Sequence, residues 1–322
     1  MMFKRLAFLN GVSLLMLTAA YADSSATFLG PTIHGSYTTS VTENAALSIA
    51  ADAGNRNARV GATAGFQVMP HERLKISAEY LAQQLPYSYF VGDQRRWIGQ
   101  AAVGINYQSD LFTEPYRPQL DFSAYGSHSN SSNIGTVSGI TTIDDTPTEY
   151  TDIRHVAGSN AFGASPGINA EIWSGTRLGI AANFDDVRYL PQYSGPTTIQ
   201  GWGGTMTLTQ IVTDNVDIGL SAGVRKPFNA YQASVTWNNI PYYGDWSIGL
   251  LGDYVAGKST LPNTYNITLT FSYLFDQCDE PSTTEETATR AFLANVAKPA
   301  VRMPAVLAVA DEGLTLTSLG GL

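Results

Sequence analysis

The sequence predicts an all-β chain folded as an antiparallel up-and-down β-barrel of about 12 strands. Three observations carry that expectation. Apolar and polar residues alternate with period two through segment after segment, the pattern of a strand with one greasy face and one wet face. Charged residues are 14% of the chain, against roughly a quarter in a soluble domain, while Gly and Tyr reach 30 and 17. Tight turns and longer loops are expected on opposite ends. Such a composition suits strands that face lipid on one side and a lumen on the other.

Residues 1–22 read as a secretory signal peptide. Lys4 and Arg5 form a basic start, and residues 6–20 are apolar, broken by Asn10, Gly11 and Ser13. Ala20-Tyr21-Ala22 fits the small-x-small rule, which predicts cleavage after Ala22. The apolar run is shorter than a membrane-spanning helix needs. The single Cys, Cys278, can form no internal disulfide.

Residues 23–44 are ambiguous. Ile33, Tyr37 and Val41 look strand-like, and Thr42-Glu43-Asn44 looks like a turn. A thirteenth strand would break the even number usual in bacterial membrane barrels and carry the N-terminus to the long-loop side. A lumenal or periplasmic segment is therefore expected, with an extra strand as the alternative.

Residues 45–275 form the barrel. Strands are expected near 45–53, 57–69, 73–84, 95–108, 117–128, 155–172, 176–187, 198–212, 216–225, 230–240, 246–256 and 264–275. Val60, Ala62, Ala64, Phe66 and Val68 oppose Arg59, Gly61, Thr63, Gly65 and Gln67; Val216, Ile218, Leu220 and Ala222 oppose Asp217, Gly219 and Ser221. A soluble sandwich also alternates. Here, however, the polar face is Gly, Ser, Thr and Asn rather than Lys and Glu. Aromatic residues such as Tyr80, Trp97, Trp202, Trp237, Trp246 and Tyr273 gather near strand ends, as at membrane interfaces. Tight turns fall at 70–72, 174–175 and 213–215, and longer loops at 84–94, 128–154, 188–197 and 257–263.

In residues 264–275, Tyr265, Ile267, Leu269, Phe271, Tyr273 and Phe275 share one parity, and Thr264, Asn266, Thr268, Thr270 and Ser272 the other. This stretch resembles the closing strand of a Gram-negative outer-membrane β-barrel protein of the porin-like kind, although the chain continues to Leu322. The resemblance implies export through a cleaved signal peptide and residence in the bacterial outer membrane. It also implies contact with outer-membrane lipid and recognition by the barrel-assembly machinery through the strand from Thr264 to Phe275. Both termini are expected in the periplasm.

Arg59, Arg73, Lys75, Glu79, Asp121, Glu171, Arg177, Asp185, Asp217 and Arg225 are the candidate lumen-lining residues. Two readings stay open: they line an open passage, or they pair across the lumen and seal it, since an unpaired buried charge is costly. No catalytic, cofactor-binding or metal-binding residue is expected. The sequence has no phosphate-binding loop, no Gly-x-Ser-x-Gly and no zinc-spaced His cluster. Ser127 and His128 are adjacent, so they face opposite ways, and an outer-membrane hydrolase is not the expectation. Asp144, Asp145, Glu149, Asp152 and His155 read as a solvated loop. A net charge of −9 argues against a nucleic-acid partner.

Residues 276–322 form a tail. Residues 279–289 are acidic and rich in Ser and Thr, a linker composition; 290–297 suit a short helix, and 306–310 are apolar enough to dock. The tail is expected in the periplasm, capping or plugging the barrel or meeting a partner there. The expected function is a pore or channel for small solutes. The alternative is a structural or adhesion barrel whose loops at 84–94 and 128–154 bind a host or envelope partner.

Overall fold

The two-residue alternation holds strand by strand in the structure, a computed structural model. It describes residues 27–275, apart from 90–91, 112–115, 131, 144–145, 192–196, 214, 239–245 and 259–262, and then residues 309–318. The signal peptide, the linker at 279–289 and the helix at 290–297 lie outside the described residues. In chain order the strands are β1 (Thr27–Thr42), β2 (Ala45–Gly54), β3 (Asn57–Met69), β4 (Glu72–Tyr89), β5 (Gly92–Asp110), β6 (Gln119–Ser129), β7 (Ser132–Ile143) and β8 (Thr146–Trp173). They continue as β9 (Thr176–Leu190), β10 (Thr197–Thr213), β11 (Val216–Val224), β12 (Phe228–Trp237), β13 (Trp246–Gly257), β14 (Thr264–Phe275) and β15 (Val309–Ser318).

Thirteen of them close a ring: β1 through β6, then β8 through β14, and back to β1. The expected count of about 12 is one short. A ring of strictly antiparallel neighbours must have an even number of members, so the thirteenth strand forces one parallel pair. That pair is β1 with β14, from Thr27 opposite Thr264 to Thr39 opposite Phe275. The reading of residues 23–44 as a lumenal or periplasmic segment is corrected over 27–42. Glu43 and Asn44 form a tight turn that folds β1 back on β2, with Ser40 opposite Ala46.

Because β1 runs parallel to β14, Thr27 lies at the opposite end of the barrel from Phe275. We call the end holding Glu43-Asn44 and Ser174-Gly175 the turn end, and the other the loop end. The barrel therefore does not begin and end on the same side. The connections from β5 to β6 and from β12 to β13 fall at the turn end, since Asp110, Gln119, Trp237 and Trp246 all end their strands there. The stretch at 84–94 is a ribbon: β4 and β5 stay paired to Tyr89 opposite Gly92. The stretch at 128–154 holds β7 and the first part of β8, paired from Ser132 opposite Val156 to Ile143 opposite Thr146. Residues 158–173 of β8 lie in the barrel wall between β6 and β9. Residues 146–157 stand beyond the loop end, with β7 on one edge and β15 on the other. The tail thus contributes a strand at the loop end, not at the turn end where β14 stops.

The burial pattern is inverted relative to a soluble core. Among the described residues, thirty-five large apolar side chains are exposed, nine apolar side chains are buried, and twenty-two polar or charged ones are buried. On β2, Leu47 and Ile49 face out while Ser48 is buried; on β14, Ile267 and Leu269 face out while Asn266 and Thr268 are buried. Outward rings gather in two tiers. Tyr37 stacks on Tyr273, which meets Trp246 at 5.1 Å, near the turn end. Toward the loop end, Phe28 stacks on Tyr265 at 4.8 Å and Tyr231 on Tyr254 at 6.2 Å.

Glycine is required where strands crowd. A Cβ on Gly203 would lie 2.1 Å from the Val224 carbonyl oxygen and 2.9 Å from the Arg225 Cα, so β10 and β11 approach too closely for a side chain. Gly203→Val is expected to lower stability by about 1–3 kcal/mol, the usual range for overpacking, measured as the urea midpoint in detergent. Gly175, at φ 73°, supplies the left-handed residue of the β8–β9 turn.

Candidate functional site: the barrel lumen

The inward parity of the strands brings polar side chains together in three groups. The first spans β1 to β4. His34 lies directly opposite Asp52, and Asp52 opposite Arg59, so pairing alone aligns three side chains on one face. Asp52 bonds the His34 ring and accepts from Arg59 Nε at 2.9 Å; Arg59 also reaches Glu79 at 3.5 Å. One guanidinium thus serves two carboxylates.

The second group runs along the wall at the turn end. Arg73, 2% exposed, pairs with Asp110 at 2.8 Å. Asp110 accepts from Gln119 at 2.8 Å, Gln119 accepts from Asn169 at 3.1 Å, and Asn169 accepts from Arg177 at 2.5 Å. Alongside, Asp121 accepts from the neutral amides of Asn106 at 2.7 Å and Gln108 at 2.9 Å. Ladder geometry explains the chain: Asp110, Gln119 and Asn169 lie directly opposite one another on successive strands, and Arg73 and Arg177 reach in from diagonal positions.

The third group lies nearer the loop end, across β6, β9 and β11. Asp185 is fully buried; it accepts from Tyr125 Oη at 2.5 Å and from Arg225 Nε at 2.9 Å. The Arg225 guanidinium stands 5.7 Å from the centroids of both the Tyr125 and Phe228 rings, within cation–π range. Tyr125, Ala161, Val187, Tyr189 and Phe228 form a buried apolar cluster around the pair. The low dielectric there strengthens the attraction and also makes either ion alone expensive.

A cavity of about 710 Å³ remains between these groups, and every strand of the thirteen-membered ring contributes to its wall. Of the ten sequence-identified residues, Arg59, Glu79, Asp121 and Arg225 border it. Arg73, Lys75 and Asp185 are buried in the wall. Glu171 accepts from the Gly175 amide at 3.0 Å, Arg177 bonds Asn169, and Asp217 accepts from Asn238 at 2.7 Å, all near the turn end. The charges mostly pair along the wall between adjacent strands; Asp185 with Arg225 is the pair that skips a strand. His34, Asp52, Asp110 and Tyr125 belong to the site but were not singled out from the sequence. Among the described residues no group of His, Cys, Asp and Glu is arranged to hold a metal. His128 faces outward and meets Asn160 at 2.8 Å. No protein-family model and no curated protein sequence matches this chain.

Proposed function

We propose that the chain is an outer-membrane β-barrel that forms a passage for small solutes. One observation carries the reading: a closed barrel encloses a polar-walled cavity while presenting its apolar side chains outward. A ring leaves no sheet edge, and in hydrocarbon every backbone N–H and C=O must be paired, so closure suits a bilayer. The two tiers of outward rings fit interfacial girdles. Tyr265 and Tyr273 are eight residues apart on β14, ~27 Å along a strand; at a tilt of ~40° that is ~20 Å of height, near the ~25 Å apolar band of such barrels. Export through the predicted signal peptide and delivery to the assembly machinery by Thr264–Phe275 belong to the same reading.

Residues such as Ser221, Ser234, Thr205 and Gly219 line the cavity with small groups. They leave room for water and ions, and the paired charges stay on the wall. The refolded protein is expected to carry a stepwise current across a planar lipid bilayer in molar salt. Absence of current in every salt tested would reject the passage. A second reading draws on the ribbon formed by β7, the outer part of β8 and β15. It extends past the loop end of the ring, with β7 also against β5, and would present an adhesive or structural surface to an envelope or host partner. Removal of residues 132–157 separates the readings, because it would abolish such binding and leave the current.

A further inference from the structure

Resting on the passage reading above, we propose that the buried cluster around Asp185 is the constriction of the passage and sets the size of solute that crosses it. Tyr125, Ala161, Val187, Tyr189 and Phe228 point into the lumen, yet none is more than 7% exposed. On the same strands nearer the turn end, the inward residues are small and keep partial exposure. Ser123 on β6, Ser165 on β8, Ala181 on β9 and Ser234 on β12 all border the cavity. The lining thus changes from small and partly exposed to large and packed as it nears the loop end.

The contacts cross the lumen instead of following the wall. Tyr125 on β6 donates to Asp185 on β9, and the Arg225 guanidinium, from β11, lies 5.7 Å from the Tyr125 ring centroid. In ring order β8, β9 and β10 stand between β6 and β11, so these side chains meet on a chord. Ile199 on β10, Ala230 on β12 and Val255 on β13 pack against the cluster. The filled sector therefore runs from β6 round to β13. Thirteen strands enclose a lumen wider than the eight-stranded kind that side chains fill by themselves; the cluster restores that filling over one sector. The opposite sector, β14 and β1 to β5, is polar. There Thr32 Oγ1 lies 2.9 Å from Asn57 Oδ1 and 3.0 Å from Asn266 Oδ1, and Asp52, Arg59 and Glu79 border the cavity. A hydrated solute keeps hydrogen-bond partners along this face, whereas the rings would strip its water without replacing it. The route past the constriction is therefore off-centre, and Val187, Tyr189 and Phe228 set its width. The Asp185–Arg225 pair, neutral as a whole, holds the rings in place.

Single-channel recording combined with liposome swelling tests the constriction. Phe228→Ala is expected to raise the conductance in molar salt about twofold, since it opens a sector that side chains had filled. It is also expected to admit larger neutral sugars into liposomes than the wild-type protein does. Val187→Ala and Tyr189→Leu remove less bulk and carry the same test if Phe228→Ala fails to fold, as read by its urea midpoint in detergent. Each is expected to move both readings the same way by a smaller amount. Leu269→Ala truncates an outward side chain and is expected to leave conductance and sugar cutoff unchanged. If the wild-type protein conducts while the folded cluster variants keep its conductance and its sugar cutoff, the proposal is overturned and the passage reading survives. If Leu269→Ala widens the passage as much as they do, the change is a general loosening and the proposal is likewise overturned. If the wild-type protein carries no current, the passage reading fails and the proposal with it.

Discussion

Asp185→Ala is expected to destabilise the barrel by about 3–5 kcal/mol, the cost of leaving one member of a buried ion pair behind. Asp185 is fully buried, and its removal strands the Arg225 guanidinium between the Tyr125 and Phe228 rings. Arg225 already has one nitrogen, Nη2, with no hydrogen-bond partner, so little remains to absorb the loss. The double variant Asp185→Ala with Arg225→Met should recover much of that stability, because an apolar pair of similar volume avoids the desolvation cost. Urea unfolding in detergent reads both, and the cycle isolates the pair. Equal losses in the single and double variants would show that the apolar cluster, not the pair, governs this region.

Val103→Arg should cost about 2–4 kcal/mol of folding into lipid vesicles, the price of a cation at the bilayer midplane on a barrel's outer face. Val103 is 61% exposed on β5, on the same outward face as Ile105. An arginine at such a position on a water-facing surface would change stability by no more than ~0.5 kcal/mol. The size of the effect therefore reports the medium around the barrel. Val103→Leu is the control and should be silent.

Much of the wall was legible because its pattern is redundant. The wall strands around these residues carry the same alternation, so Arg59, Asp121 and Arg225 could be placed inside from sequence neighbours alone. The first strand was harder. Between Ile33, Tyr37 and Val41 the outward positions are Gly35 and Thr39, so its greasy face is half empty, and the expectation that both termini share one side then outweighed the turn at Glu43-Asn44. β7 has little apolar face to read because it pairs in a ribbon past the loop end of the ring.

The lumen was legible in charge but not in pairing. His34 lay in the unassigned strand and Asp110 just beyond a predicted one. Asp52 was one polar residue among several until the register set it between His34 and Arg59. Val187, Tyr189 and Phe228 escaped notice because an apolar residue pointing inward breaks the alternation and looks like the end of a strand. They fill the lumen around Asp185, where small side chains alone would have left it open.

All five tryptophans bear on the medium outside the barrel. Trp97, Trp173, Trp202, Trp237 and Trp246 are exposed, between 41% and 71%. Folding residues 23–322 into vesicles of brominated phospholipid and recording their fluorescence is the direct test. If acyl chains cover the outward face, emission falls markedly relative to unbrominated vesicles. Undiminished emission, with the protein remaining monomeric in buffer free of detergent, would contradict it.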